Sequence, residues 1–305
     1  MDGTRNPLAE FLRDRRESLS PESVGLAAER GRRVAGLRRT EVAELAGISA
    51  DYYLRLEQGR GHQPSQQVLS ALSRALRLDH YGDEHLRRMA ALAAGHAEPA
   101  TTGQMPSGAL DLLRLHRDTP AYISNATMDV VAVNRPGLLL APGGLRPGMN
   151  LVMSVFAHYP DPHSEAHWER TARALVASLR YHADPRDARL RQIVAALGRT
   201  DDRFRRIWGA CGVGPQFNAW PMVYIDAHGW VTLRAESLTL AGAAGWTMTL
   251  FFAEPQTPGV AALADLVRDA NRAPADGDPA QAVAVAAELD PICVDDDADA
   301  EEIAS

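Results

Sequence analysis

Apolar residues in the first third of the chain recur at three- and four-residue spacing in short blocks broken by Gly, Pro and Ser. Residues 7–95 therefore predict short helices joined by tight turns. The periodicity lapses over 96–107 (HAEPATTGQMPS), which predicts a linker. Residues 108–270 read as a second domain of mixed type. AYISN and VVAVN have the composition of short strands, and Glu165–Leu197 has mainly helical spacing. MVYIDAHGWVTLRAESLTL alternates around a His228–Gly229 turn, WTMTLFFAE predicts another strand, and Ala261–Ala270 a closing helix. From 271 to 305 the chain carries ten acidic residues and one Arg, Arg272, a composition that predicts an acidic, disordered tail. No internal repeat is visible.

A chain of 305 residues suffices for two ordinary domains, each with its own core. The two cysteines, Cys211 and Cys293, lie far apart, which supports neither a disulfide framework nor a zinc ribbon and suits the cytoplasm. The charged, polar start and the lack of any long apolar run predict neither a signal peptide nor a membrane span. The net charge of -7 argues at first against a polyanionic partner. That average hides an asymmetry: residues 1–95 sum to +2 and residues 96–305 to -9. Arg13, Arg15 and Arg16, then Arg30, Arg32, Arg33, Arg38 and Arg39, crowd the front, the footprint of a phosphate-binding surface.

Within that basic unit lies RRTEVAELAGISADYYLRLEQGRG, starting at Arg38. Val42, Ala43 and Ala46 share one helical face, Gly47 suits a sharp helix exit, and Ser49 suits the N-cap of a second helix. Tyr53 and Leu56, three apart, should face the first helix with Ile48. Ala50, Asp51, Tyr52 and Arg55 then point outward toward the major groove, and Ser49 at the N-cap before them counts with them as a DNA-binding residue. Arg38, Arg39 and Thr40 sit where a helix N-terminus grips phosphate, and Arg60, His62 and Ser65 supply the far side of the grip. Asp51 is an odd member of such a face, since a carboxylate repels phosphate and can only accept from a base such as cytosine. A generic helical hairpin with a solvated arginine face is the plain alternative.

The block LRRTEVAELAGISADYYLRLEQGRGHQPSQQVLSALSRAL, preceded by the basic loop ERGRRVAGL, resembles the helix-turn-helix of Xre-type regulators. PAYISNATMDVVAVN, LGRTDDRFRRIW and TLFFAEPQTPG resemble the MmyB-like ligand-binding domain that follows it in actinobacterial regulators. The resemblance implies an all-α five-helix helix-turn-helix DNA-binding domain followed by an α+β PAS-like sensor domain. Double-stranded operator DNA is the implied partner, and a fatty-acid-like or other small apolar ligand the implied signal. A role in secondary metabolism is also implied. In such proteins the residue matching Glu57 is a buried structural acid rather than a DNA contact. This chain departs from the family at Val133, where Trp is usual, at Cys211, where His is usual, at Ala235, where Tyr is usual, and across QFNAWPMVYIDAH.

Phe156, Trp208, Phe217, Trp220, Tyr224 and Trp246 are the candidate walls of an apolar ligand pocket. A packed core would use the same residue types. Other constellations are weaker. His158, His163 and His167 with Asp161 and Glu165 read HSEAH rather than HExxH, so no metal site is expected. ACGVGP around Cys211 lacks both P-loop and dinucleotide spacing, so no cofactor is expected. Asp201 and Asp202 suit helix capping better than paired-carboxylate catalysis, and no complete catalytic motif is present. The expectation is a non-enzymatic, homodimeric DNA-binding transcriptional regulator. Its rivals are a regulator whose C-terminal domain only dimerises, and a small-molecule-binding protein or enzyme with accessory helices.

Overall fold

The structure is a computed structural model that describes residues 6–27, 32, 34–60, 63–95, 105–140, 145–157, 165–215, 219–241, 245–272, 283–285 and 290. Its N-terminal unit consists of α1 (Pro7–Ser18), α2 (Arg39–Ala46), α3 (Ala50–Glu57), α4 (Gln66–Ala75) and α5 (His80–Ala93). Four of these helices start on a side-chain oxygen: Asn6 accepts from Ala9, Ser49 from Tyr52, Ser65 from Val68 and Asp79 from Gly82. Leu12, Leu37, Val42, Tyr53, Leu72, Leu76, Leu86 and Met89 are fully buried at the centre. All but Leu37, which enters from the loop before α2, lie on a helix or at its end, so one apolar stripe per helix builds most of this core.

The C-terminal unit is α+β. Its sheet, of order β5-β6-β1-β2-β7 among the described residues, combines β1 (Ala121–Ser124), β2 (Val130–Asn134), β5 (Arg234–Thr239), β6 (Thr247–Phe252) and β7 (Val283–Val285). All its strand pairs are antiparallel. A separate hairpin joins β3 (Met222–Ile225) to β4 (Gly229–Thr232) through the His228–Gly229 turn. Both faces of the sheet are covered. Tyr122, Val133, Ala235 and Phe251 face a large core with α8 (Leu151–Ala157), α9 (Glu165–His182), α10 (Ala188–Thr200) and α11 (Asp202–Gly209). Ala121, Ile123, Ala132, Trp246, Met248 and Leu250 face α6 (Ala109–Leu115). All four residues of β1 are therefore buried, and the alternation of a one-sided strand is lost.

Buried polar groups hold the joints. Asn134 caps α7 (Arg135–Leu138) through Gly137, accepts from Ala121 and donates to the carbonyls of His116 and Thr119. Asp129, wholly buried, is bonded by Asn125, Thr127, Asn150 and Arg189, with the Arg189 Nη2 at 2.7 Å. Asp201 accepts from Arg203 and Phe204 at the start of α11, the capping role its position predicts.

The tail departs from its expectation. The closing helix α12 (Pro258–Arg272) passes residue 271, and β7 pairs with β2 beyond it. Asp290 donates its N–H to Gly148 and takes two hydrogen bonds from Arg146. Acidic flanks lower the local hydropathy, but three β-competent residues suffice to extend an open sheet edge. Residues 96–104 of the expected linker lie outside the described residues.

Candidate DNA-reading face and sensor site

α2 ends at Gly47, whose φ of 65° is left-handed and whose N–H returns to the carbonyls of Ala43 and Glu44. Two residues later the Ser49 hydroxyl opens α3 by accepting from Tyr52 N at 3.1 Å. This is the helix, short turn and helix read from the sequence. Val42, Ala43, Ala46, Tyr53 and Leu56 are buried between the helices. Arg38, Arg39, Thr40, Ser49, Ala50, Asp51, Arg55, Arg60 and Ser65 are exposed. Tyr52 is half-buried against the core, so part of its ring is committed to packing. His62 lies outside the described residues. On the outer face of α3, Arg55 pairs with Asp51 one turn before it. That pairing accounts for the odd carboxylate.

The crowd of arginines at the front divides by the partners each one finds. Arg16 donates to Glu57 at 2.6 Å and to the carbonyl of Leu37. Arg13 donates to the carbonyl of Glu57, Arg15 to those of Leu76 and Arg77, and Arg32 to Glu41 and the Gly36 carbonyl. These four hydrogen-bond within the fold, where each satisfies a carbonyl that a helix end or loop leaves open, so their charge alone does not place them on a phosphate-binding surface. Arg30 and Arg33 lie outside the described residues. Arg39 has a foot in both roles: it is half exposed yet donates to Glu57 at 2.6 Å. Glu57 is only 1% exposed. Burial alone would raise its carboxyl, but hydrogen bonds from Arg16 and Arg39 hold it below the usual carboxylate range.

Of the six aromatic residues expected to line a pocket, the five described ones do not converge on one cavity. Phe156 is buried edge-on to both Trp168 and Phe204. Trp208 stacks on Phe204 and is covered by the Arg180 guanidinium 3.9 Å from its ring. Trp246 is buried on the opposite side of the sheet, under α6. Tyr224 meets Trp230 edge-on at the hairpin, Trp220 is 47% exposed, and Phe217 lies outside the described residues. His167, the described member of the histidine group, accepts from the Met222 N–H at 2.9 Å.

Open space lies elsewhere. An apolar groove of about 500 Å³ runs between β6 and α12, walled by Phe251, Phe252, Val260, Leu263 and Val267, with Asp118 and Thr119 at its rim. The signal for it was the helical spacing of Val260, Leu263 and Val267 after the FF pair of β6. A second space, of about 10 Å³ and so the size of one water, lies between the sheet and α9. Tyr122, Ser124, Thr247 and Thr249 floor it, and Ser178 and His182 roof it.

Residues 7–88 match a helix-turn-helix domain, and residues 105–266, more than half of the chain, match the MmyB-like transcription regulator ligand binding domain. The chain belongs to the MmyB-like transcription regulators. This MmyB-like regulator is thus a DNA-binding transcription regulator with a C-terminal ligand-binding domain, and its families are those of regulators rather than enzymes. No curated protein matches the chain. No helix among the described residues is long and apolar enough to cross a membrane. The Glu57 position is buried, as the Xre-type resemblance implies.

Proposed function

We propose that this regulator binds an inverted-repeat operator as a homodimer in the cytoplasm, with Ala50, Asp51, Tyr52 and Arg55 at base edges. Arg38, Arg39, Thr40, Ser49, Arg60, His62 and Ser65 contact the phosphates around them. The observation that carries this reading is the exposed Asp51–Arg55 pair on the outer face of a helix whose inner face is fully packed. A twofold dimer would set two such helices about 34 Å apart, one turn of duplex. Selection of bound duplexes from a random pool by the full chain tests it. Enrichment of a palindrome supports the dimeric reading; enrichment of a single half-site leaves a monomeric reader, and no enrichment removes sequence-specific reading.

The signal is a small apolar molecule held in the groove between β6 and α12. Its volume falls in the range of small-ligand sites, about 300–1,000 Å³, and its walls are apolar with a polar rim, the usual composition of such sites. Among the described aromatic residues named from the sequence, Phe156, Trp208, Tyr224 and Trp246 pack elsewhere, and Trp220 has a broad free surface. Mass spectrometry of denatured protein should release a hydrophobic molecule, and Leu263→Trp should abolish its retention. Retention unchanged in that variant would move the site away from the groove. Absence of any such molecule would favour a C-terminal domain that only dimerises. A role in secondary metabolism follows if the selected operator lies beside biosynthetic genes.

A further inference from the structure

The last turn of α9 faces two ways. Ser178 and His182, four residues apart and therefore on one side of the helix, roof the hydroxyl-lined cavity over the sheet. Arg180 and Tyr181, between them, reach the N-terminal unit. Arg180 Nη1 lies 3.6 Å from Asp14 Oδ2 on α1. The Tyr181 hydroxyl donates to Glu84 on α5 at 2.8 Å, and the Tyr181 and Tyr81 rings meet edge-on. In return, Arg88 of α5 donates to the main-chain carbonyls of Arg180 and His182, both at 3.4 Å.

The final carbonyls of a helix have no partner within it, and a cation beside them is favoured by the helix dipole. Arg88 thus caps α9 from the other domain. Arg180 ties the same turn back into the sensor by donating to the Trp208 carbonyl at 2.8 Å and stacking over its ring. The contact uses α1 and α5, whereas Arg38, Arg39, Thr40, Ser49, Ala50, Asp51 and Arg55 on α2 and α3 and their flanks stay exposed. The sensor therefore holds the reading unit from behind and does not cover its reading face.

We propose that the last turn of α9 couples the sensor to the DNA-reading unit, converting a shift of Ser178 and His182 over the sheet into a change in how α5 and α1 are held. This inference rests on the reading of the chain as a two-domain regulator. Regulation then works through orientation: in a dimer, two reading helices must meet half-sites at fixed spacing, so re-docking each unit on its sensor changes the fit without any residue blocking DNA. A helix end capped across the domain boundary is a joint with two discrete arrangements, capped and uncapped, which a small displacement can exchange.

The test needs neither DNA nor ligand. Hydrogen exchange of the full chain is followed in peptides covering α5 for wild type, Ser178→Val and Thr249→Val, which alter the cavity without touching the N-terminal unit. Thr239→Val, on an exposed position of β5, is the control. Exchange in α5 should quicken about 5-fold or more in both cavity variants, the lower end of usual coupling between sites, and stay unchanged in the control. Arg88→Gln should give the same signature, and adding Ser178→Val to it should add little, since both act through one joint. If a valine variant does not fold, Thr249→Ser, a change of one methyl, replaces it. Altered exchange in sensor peptides with α5 unchanged, or fully additive effects in the double variant, would overturn the proposal. Failure of the wild-type chain to select any duplex would instead count against the DNA-reading function and leave this result standing.

Discussion

Arg55 Nε donates to Asp51 Oδ2 at 3.0 Å across one turn of α3, with both side chains more than half exposed. An exposed pair of this kind contributes at most about 0.5 kcal/mol to stability. On the proposed reading its consequence lies in recognition: the carboxylate would hold the guanidinium in one rotamer and offset its charge, so that Arg55 would meet a base edge pre-aimed. Asp51→Ala should leave the midpoint of unfolding nearly unchanged, raise affinity for unrelated duplexes and reduce discrimination among selected ones. Arg55→Ala should cost about 1–3 kcal/mol at one base position, the value of a good bidentate contact. Competition binding against point-substituted duplexes measures both. Discrimination unaltered by Asp51→Ala would show that the carboxylate does not aim Arg55.

Arg16 and Arg39 share Glu57, but not equally. Arg16 is nearly as buried as the acid, and Arg39 is half exposed. Arg16→Met leaves the buried carboxylate on Arg39 alone and should cost about 3 kcal/mol in urea unfolding, the low end for breaking a buried pair. Arg39→Met should cost much less, because water can reach its end of the pair. It should also weaken all duplexes alike and lower the salt slope by about one. Similar losses of stability in the two variants would mean that burial does not rank these ion pairs.

What the sequence disclosed followed from local rules. Gly47 and Ser49 carry their own backbone and capping signals, so the helix-turn-helix was readable without any tertiary knowledge. β3 and β4 announce themselves by the turn between them. The short helices α6, α7 and α8 were not read, since seven residues or fewer give too little periodicity to stand out. Long-range partners were beyond reach as well: Arg16 and Glu57 are 41 residues apart, and only folding decides whether an arginine meets a phosphate or a carbonyl. The aromatic residues failed as pocket markers for a related reason. Composition says that Phe156, Trp208 and Trp246 are buried by preference, but whether a ring fills space or borders it depends on what the opposite element supplies.

The imidazoles at the domain joint make stability fall in mild acid. Burial, aided by Arg88, pushes His182 down to about 4, and burial with Arg88 and Arg180 holds His85 well below its ordinary value. Both are depressed relative to an unfolded value near 6.5, so the unfolded chain binds more protons below that pH. The stability they contribute is present above pH 6.5 or so and is lost as the pH falls toward 4. Glu84 and Tyr81 from α5, Asp14 from α1, Asp184 beyond α9 and Cys211 beyond α11 also face or border this joint. Burial raises Asp14, whose contribution therefore has the opposite sign and a window nearer the carboxylate range. Between pH 6.5 and 4.5, wild type should lose on the order of 2–3 kcal/mol more than His182→Gln. Parallel pH profiles for the two proteins would show that His182 is not a source of the loss.

Strand β7 lies beyond the residues that the family match covers. Val283, Ala284 and Val285 pair with Asn134, Val133 and Ala132, closing the outer edge of β2. Asp290 then anchors the segment: its N–H donates to Gly148 at 2.8 Å, Arg146 grips its carboxylate, and Arg189 donates to its carbonyl at 2.9 Å. Arg189 is also the partner of the wholly buried Asp129, so the anchor bears on the joint between β1, β2 and α10. A chain ending at residue 282 would leave the edge of β2 with unpaired N–H and C=O groups, a template for another chain. It should melt several degrees below the full chain, since about 1–2 kcal/mol shifts a domain of this size by that much, and it should self-associate as concentration rises. Asp290→Ala keeps the strand and removes only an exposed ion pair, so its effect should stay under about 1 kcal/mol. Calorimetry and sedimentation of the three proteins separate the contributions. A truncated chain that melts with the full one and stays monodisperse would show that β7 adds nothing to the sheet, whereas a loss reproduced in full by Asp290→Ala would place the stabilisation in the anchor and not in the strand.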